Sequence, residues 1–239
     1  AELQGSQGNF DVRETHDGAA YERPNQLGAF LELDSDSRKQ VGFGGYASVT
    51  NTVRGVDTHA GVTGYVNLGG RLELSVRPEV DITTGDVRWY DTTPVDASGE
   101  RTYHFAQLDA RALLLLFRVN YTFTPKLTLQ GQAQVFLASE EWLHGVKVTS
   151  ILPRPRLYLS RLESEDLPDL NTKDATLNGN IVLRWEYLPG SLLYAVYSRA
   201  QGVGTLTPGL SARRLDPGAL ARGASEDTIL VKASFYLGL

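Results

Sequence analysis

The sequence predicts an all-β protein, an antiparallel transmembrane β-barrel of about ten strands with twelve as the alternative, and three observations predict it. The first is the hairpin from Arg111 to Leu137, where two long alternating runs meet at Thr124-Pro125-Lys126. Strand side chains point to opposite faces with period 2. Leu113, Leu115, Phe117, Val119, Tyr121 and Phe123 therefore form one apolar face, continued on the second strand by Leu127, Leu129, Gly131, Ala133, Val135 and Leu137. The other face carries Arg118, Asn120, Thr122, Thr128, Gln130, Gln132 and Gln134. The second observation is that short turns at 34–39, 68–70, 124–126 and 188–191 alternate with mostly long connections. Periplasmic turns and extracellular loops of outer-membrane barrels alternate in this way. The third is that Tyr121, Phe123, Trp185, Tyr187, Tyr194 and Phe235 all lie within a few residues of a short turn or of the C-terminus, where a periplasmic aromatic girdle is expected. Leu113 to Phe123 rises about 33 Å along the strand, which a tilt near 40° reduces to roughly 25 Å, the height of an apolar band.

Length and composition agree with one domain over 1–239: 239 residues, 24 Gly, 10 Pro, no Cys and a net charge of -5. No run approaches the roughly 20 apolar residues of a spanning helix, while a barrel gives only a weak signal per segment. The lack of cysteine suits an oxidising periplasm or a cell surface. Without Lys/Arg clusters, nucleic acid is not an expected partner. The first residues lack a signal peptide's basic and apolar regions, as expected of a processed chain or of a domain cut from a longer one.

In chain order, residues 3–13 form the least regular strand, and ETHDGAAYERPN follows as a polar stretch. A strand at 26–33 meets one at 40–53, where Gly42, Gly44 and Gly45 point to close approach or bending. The strand at 58–68 turns at Gly69-Gly70 into the cleanest alternation of the chain, Leu72, Leu74, Val76, Val80 and Ile82 against Arg71, Glu73, Ser75, Arg77, Glu79 and Asp81, with Pro78 expected to mark a bulge. Residues 84–100 read as turn chemistry. One unbroken strand is expected over 101–124, because a split at Leu108-Asp109-Ala110 would break the alternation of connections. Residues 139–174 read as the longest irregular connection and 201–226 as the second, with strands at 175–187, 192–200 and from about 229 to the end.

The polar faces hold the candidate lumen network: Arg71, Glu73, Arg77, Glu79, Asp81, Arg118, Gln130, Gln132, Gln134, Arg184, Glu186 and Lys232. Mixed signs favour mutual neutralisation inside a filled interior, since barrels near eight strands are only wide enough for side chains. Single-sign lining would have favoured a narrow pore, which stays as the alternative. A hydrolase at the extracellular mouth is the lesser reading. His16 stands near Glu14 and Asp17, His59 near Asp57, His104 near Glu100, and His144 near Glu140 and Glu141, yet no G-x-S-x-G or zinc spacing accompanies them. No catalytic residue, metal or cofactor is assigned. Trp142, Ile151, Leu157 and Tyr158 make the 139–174 connection far more apolar than a hydrated loop, as expected of a lid over the mouth or a patch for a protein partner.

Several segments resemble a known family: SDSRK at 35–39, FAQLDARALLLLFRVNYTFTPKLTLQGQAQVFLAS at 105–139, NIVLRWEYLPGSLLYAVYSRAQ at 180–201 and ILVKASFY at 229–236. They are similar to the C-terminal barrel of a bacterial outer-membrane family, in which an N-terminal domain like the family-9 carbohydrate-binding module precedes the barrel. That domain is not part of this sequence. The resemblance implies a barrel and carries no catalytic residue. The ending KASFYLGL also resembles the outer-membrane assembly signal, with Lys232, Ser234, Leu237 and Leu239 at its polar, small and two hydrophobic positions. The expected setting is therefore the bacterial outer membrane. Expected partners are lipid and lipopolysaccharide, the barrel assembly machinery through the C-terminal strand, and a protein at the extracellular loops.

Overall fold

The computed structural model describes residues 1–36, 38–203 and 214–237. The strands in chain order are β1 (Glu2–Ser6), β2 (Asn9–Asp11), β3 (Ala20–Arg23), β4 (Gln26–Asp34), β5 (Val41–Asn51), β6 (Val56–Leu68), β7 (Leu72–Thr92), β8 (Arg101–Thr124), β9 (Leu127–Ser150), β10 (Arg156–Leu157), β11 (Glu163–Ser164), β12 (Thr172–Leu188), β13 (Ser191–Val203) and β14 (Ala224–Ser234). A short 3-10 turn, Leu159–Arg161, and helix α1, Gly218–Arg222, complete the elements. One antiparallel sheet runs in the order β1-β4-β5-β6-β7-β8-β9-β12-β13-β14, with β11 added beside β9. That path holds the ten expected strands. A second sheet, β10-β3-β2, lies at the end of the long connections.

Register keeps like with like across the sheet. One rung joins Leu31, Ala47, Ala60, Val80, Leu113, Leu137, Ala175 and Val203. A rung of the opposite face joins Tyr65, Ser75, Arg118, Gln132, Asn180, Ser198 and Thr228. A slip of one residue would exchange the two faces, so burial or exposure of the apolar face fixes the pairing. Leu31, Val41, Phe43, Val62, Val76, Leu115, Phe117, Ile181, Ile229 and Val231 on the apolar face are all exposed.

The strand at 101–124 is unbroken, as expected, and the turn is Pro125-Lys126. Other boundaries need correction. Residues 84–92 belong to β7, and residues 139–150 to β9, so the longest connection is 151–171 and Trp142 is a strand residue. Turn-rich composition there reflects irregular pairing. Pro78 marks no bulge: it sits opposite Leu115 in continuous register, and the ladder slips instead between Thr83 and Asp86. Gly85 occupies that slip with φ 76°, a conformation that side chains with a Cβ rarely adopt. Close approach at the β5 glycines is borne out, since a Cβ on Gly42 would strike the Tyr65 hydroxyl and one on Gly44 the Asp34 carboxylate. The sequence position Leu239 of the assembly-signal pattern, Ser37 of SDSRK and residues 204–213 of the second connection lie outside the described residues.

Candidate functional site

Two places concentrate polar chemistry: the polar face of the sheet and the packed cluster at the end of the long connections. On the polar face the expected lumen residues resolve into local groups. Arg77 Nε lies 3.0 Å from Glu79 Oε1. The Tyr46 hydroxyl donates to that same Glu79 oxygen at 2.9 Å and meets His59 Nε2 at 2.9 Å. His59 Nδ1 in turn contacts Asp81. Glu73 accepts from the Asn120 amide at 3.1 Å, and Glu186 accepts from the Gly190 N–H at 3.0 Å, closing its own turn. Arg71 and Gln130 are exposed. Arg118, Gln132 and Gln134 line a cavity of about 530 Å³ with Asn178, Asn180 and Ser198.

Arg184 and Lys232 both stand opposite Tyr194. Tyr194 therefore belongs to the polar face and not to the aromatic girdle, because β13 places Leu193, Ala195 and Tyr197 on the apolar side. Trp185, Tyr187 and Phe235 do gather, with ring centroids 6.0 and 5.9 Å apart in sequence, and Tyr121 meets Phe123 edge-on at 4.6 Å. The apolar face is also less uniform than alternation predicts. Arg199 and Asp227 pair on it at 3.1 Å, and the Tyr197 hydroxyl donates to Asp227 at 2.6 Å.

The second place is the molecule's densest packing. Tyr21, Tyr103, Phe105, Val53, Val87, Ala19 and Leu157 are buried together, and Trp89, Val146, Val148, Leu159 and Leu162 pack around them. Tyr21 stacks on Phe105 at 4.6 Å. The 151–171 connection is folded onto the N-terminal segment: Tyr158 meets Phe10 at 5.3 Å, and Arg156 and Arg161 lie over the rings of Phe10 and Tyr158. The Ala20 N–H donates to the Pro155 carbonyl at 2.8 Å, and the Leu159 N–H to Glu22 at 2.8 Å. Leu157 is thus covered by this chain, while Ile151 and Leu152 stay exposed.

The four histidines meet other groups than the carboxylates beside them in sequence. His16 meets the Trp89 ring at 5.2 Å, His59 faces Asp81, His104 faces Glu165 at 2.9 Å, and His144 faces Gln107 at 3.1 Å. Glu165 also accepts from the Tyr90 hydroxyl at 3.2 Å. Burial and then the Glu165 charge push the Tyr90 hydroxyl up to about 12. Burial also drives the Tyr21 hydroxyl far above its ordinary range. Tyr90, His104 and Glu165 join β7, β8 and the connection after β11. Among the described residues, no group of three or more His, Cys, Asp or Glu is placed to hold a metal ion. Tyr46, Tyr90, Glu165 and Asp86 were not singled out from sequence, because Tyr46 meets Glu79, Tyr90 meets Glu165 and Asp86 meets Val53 across strands whose register local patterning does not reveal. No protein-family model, curated protein or solved structure matches the chain, so its function has to be read from these residues.

Proposed function

We propose that this chain is a bacterial outer-membrane β-barrel that serves as a structural or partner-binding barrel, its polar face turned inward and its loop end occluded by its own folded segments. One observation carries the reading. An apolar face maintained in register across the sheet is left largely exposed, and among the described residues helix α1 covers part of it, where Ala219 packs with Leu137 and Ala175. A soluble sheet of this size buries its apolar face under another sheet or under helices, and monomers rarely expose contiguous apolar patches beyond a few hundred Å². Lipid is the solvent that suits such a face. An antiparallel ladder with an even number of strands can close edge to edge, which satisfies every backbone group within a bilayer. The resemblance to the barrel of an outer-membrane family points the same way. If the sheet closes, the segments around Tyr21 and Leu157 lie at its extracellular mouth.

Closure is tested by pairing β1 with β14. The chain has no cysteine, so a cysteine at Gln4 combined in turn with cysteines along 226–232 reports the seam without background. Cross-linking at one register, together with a compact unboiled form on a detergent gel, is the expected result. A protein that stays soluble and monomeric without detergent and cross-links nowhere would overturn the reading. A narrow conduit is the second reading, favoured by the 530 Å³ cavity among Arg118, Gln132 and Asn180. Steady conductance from the unmodified protein in a planar bilayer selects it over the occluded barrel.

A further inference from the structure

A second cavity, of about 380 Å³, lies between the N-terminal segment and the loop ends of β6 and β7. Thr52, Asp57 and Asp86 line one side of it, and Asn9, Phe10 and Arg23 another. Two of its polar atoms have no protein partner: the Thr52 hydroxyl oxygen and one Asp57 carboxylate oxygen. Thr52 is only 6% exposed. Buried polar atoms left unpaired are uncommon in native structures and imply a bound partner, whether water, ion or ligand. Water takes about 30 Å³ of liquid volume, so the space is far larger than one or two bridging waters need.

The charges decide what fits. Three guanidiniums reach the cavity and each already has a carboxylate: Arg13 with Asp11 at 3.3 Å, Arg23 with Glu14 at 2.6 Å, and Arg88 with Asp86 at 2.5 Å. An anion would find every guanidinium neutralised. Among the described residues no group of three or more His, Cys, Asp or Glu is placed to hold a metal ion, so Asp57 does not belong to a metal cage. The unfilled needs are hydrogen-bond donors for Asp57 and Thr52, alongside side-chain amides at Gln7, Asn9 and Gln26 that both donate and accept. Hydroxyl groups meet both needs at once. We propose that this cavity binds a neutral polyhydroxylated molecule of saccharide size. The inference does not depend on whether the sheet meets lipid.

The test uses the whole chain in detergent, titrated by calorimetry with glucose, maltose and trehalose as free sugars and with lipopolysaccharide micelles as the lipid-borne source of sugar. Choline and inorganic phosphate serve as the cationic and anionic comparators. Saturable binding of a free sugar or of lipopolysaccharide is expected, weakened roughly tenfold or more in Asp57→Asn and in Thr52→Val, which keep the side-chain shapes. The two arms say which source the molecule comes from. Hydrogen exchange of 6–13 and 52–57 in the unmodified protein gives a readout that needs no variant, and the bound sugar should slow it. The proposal is overturned if no sugar or lipopolysaccharide saturates, if choline or phosphate binds in their place, or if both variants bind the sugar as tightly as the parent. Unchanged exchange at saturating sugar would place the sugar elsewhere and equally overturn it.

Discussion

Asp17 shows how single residues hold the loop end together. Its carboxylate accepts from the Ala19 N–H at 3.0 Å, from Arg101 at 2.8 Å and from the Tyr103 hydroxyl at 3.0 Å. Burial works against its charge, yet the Ala19 N–H, the Thr15 and Tyr103 hydroxyls and Arg101 outweigh burial and hold its pKa below the ordinary 3.8. A carboxyl whose folded pKa is depressed adds stability that is complete above the unfolded value and is lost as pH falls through the folded one. The aromatic cluster around Tyr103 should therefore loosen as pH falls from 3.8 downward, seen as loss of near-ultraviolet circular dichroism. Asp17→Asn should be weaker at neutral pH by about 1.5 to 3 kcal/mol, the range for a hydrogen bond to a charged group, and should lose the acid step. Tyr90 behaves with the opposite sign. Its raised pKa near 12 keeps the proton that Glu165 accepts, so that bond contributes at neutral pH and fails only in strong alkali. An unchanged acid transition in Asp17→Asn would remove Asp17 from this role.

At the scale of strands, the legible parts were those governed by period 2. Residues 101–124 could be read as one strand because the odd positions stay apolar from Leu113 to Phe123 while the even ones turn polar at Arg118, Asn120 and Thr122, and because a break would have spoiled the order of long and short connections. The upper parts of β7 and β9 were not legible. There the ladder slips at Gly85, at Tyr90 and near His144, so a bulge shifts the faces and the alternation loses phase. Pro78 misled for a related reason: its missing N–H removes one ladder bond, but the strand absorbs this without an added residue. That Tyr46, His59 and Asp81 come together was invisible, because they join three strands through register alone. The faces themselves can be tested. Leu115 and Val135 stand opposite each other on the apolar side, and Gln132 opposite Arg118 on the polar side. Arg at Leu115 or Val135 should cost about 2 to 4 kcal/mol in a refolding titration in lipid, the range for a midplane position, while Gln132→Arg is tolerated. Equal costs at all three positions would mean that the two sides are not differently solvated.

At the scale of the molecule, stability is unevenly distributed. The middle of the sheet has little of its own core, whereas Tyr21, Tyr103, Phe105 and Leu157 concentrate buried area at one end. The long strands and the connections thus depend on different forces: the first on ladder bonds and, in the proposed barrel, on lipid, the second on ordinary aromatic and aliphatic packing. This separation was partly legible, since the apolar residues Leu157, Tyr158 and Leu159 looked wrong for a hydrated loop. Their target was not, because Tyr21 and Phe10 lie in a stretch with no regular pattern. Phe105→Ala should cost about 3 to 5 kcal/mol and Leu157→Ala about 2 to 5 kcal/mol if the cluster collapses as a unit. The loss should appear as faster proteolysis within 7–25 and 151–171, with the unboiled compact form on a detergent gel retained. In the proposed barrel, deleting 151–162 should act likewise and raise bilayer conductance, because the segment that would shield the mouth is then gone. Were Leu157→Ala to abolish the compact form instead, the loop-end cluster would be the nucleus on which the whole sheet depends, and the connections would have to be counted as core of the fold.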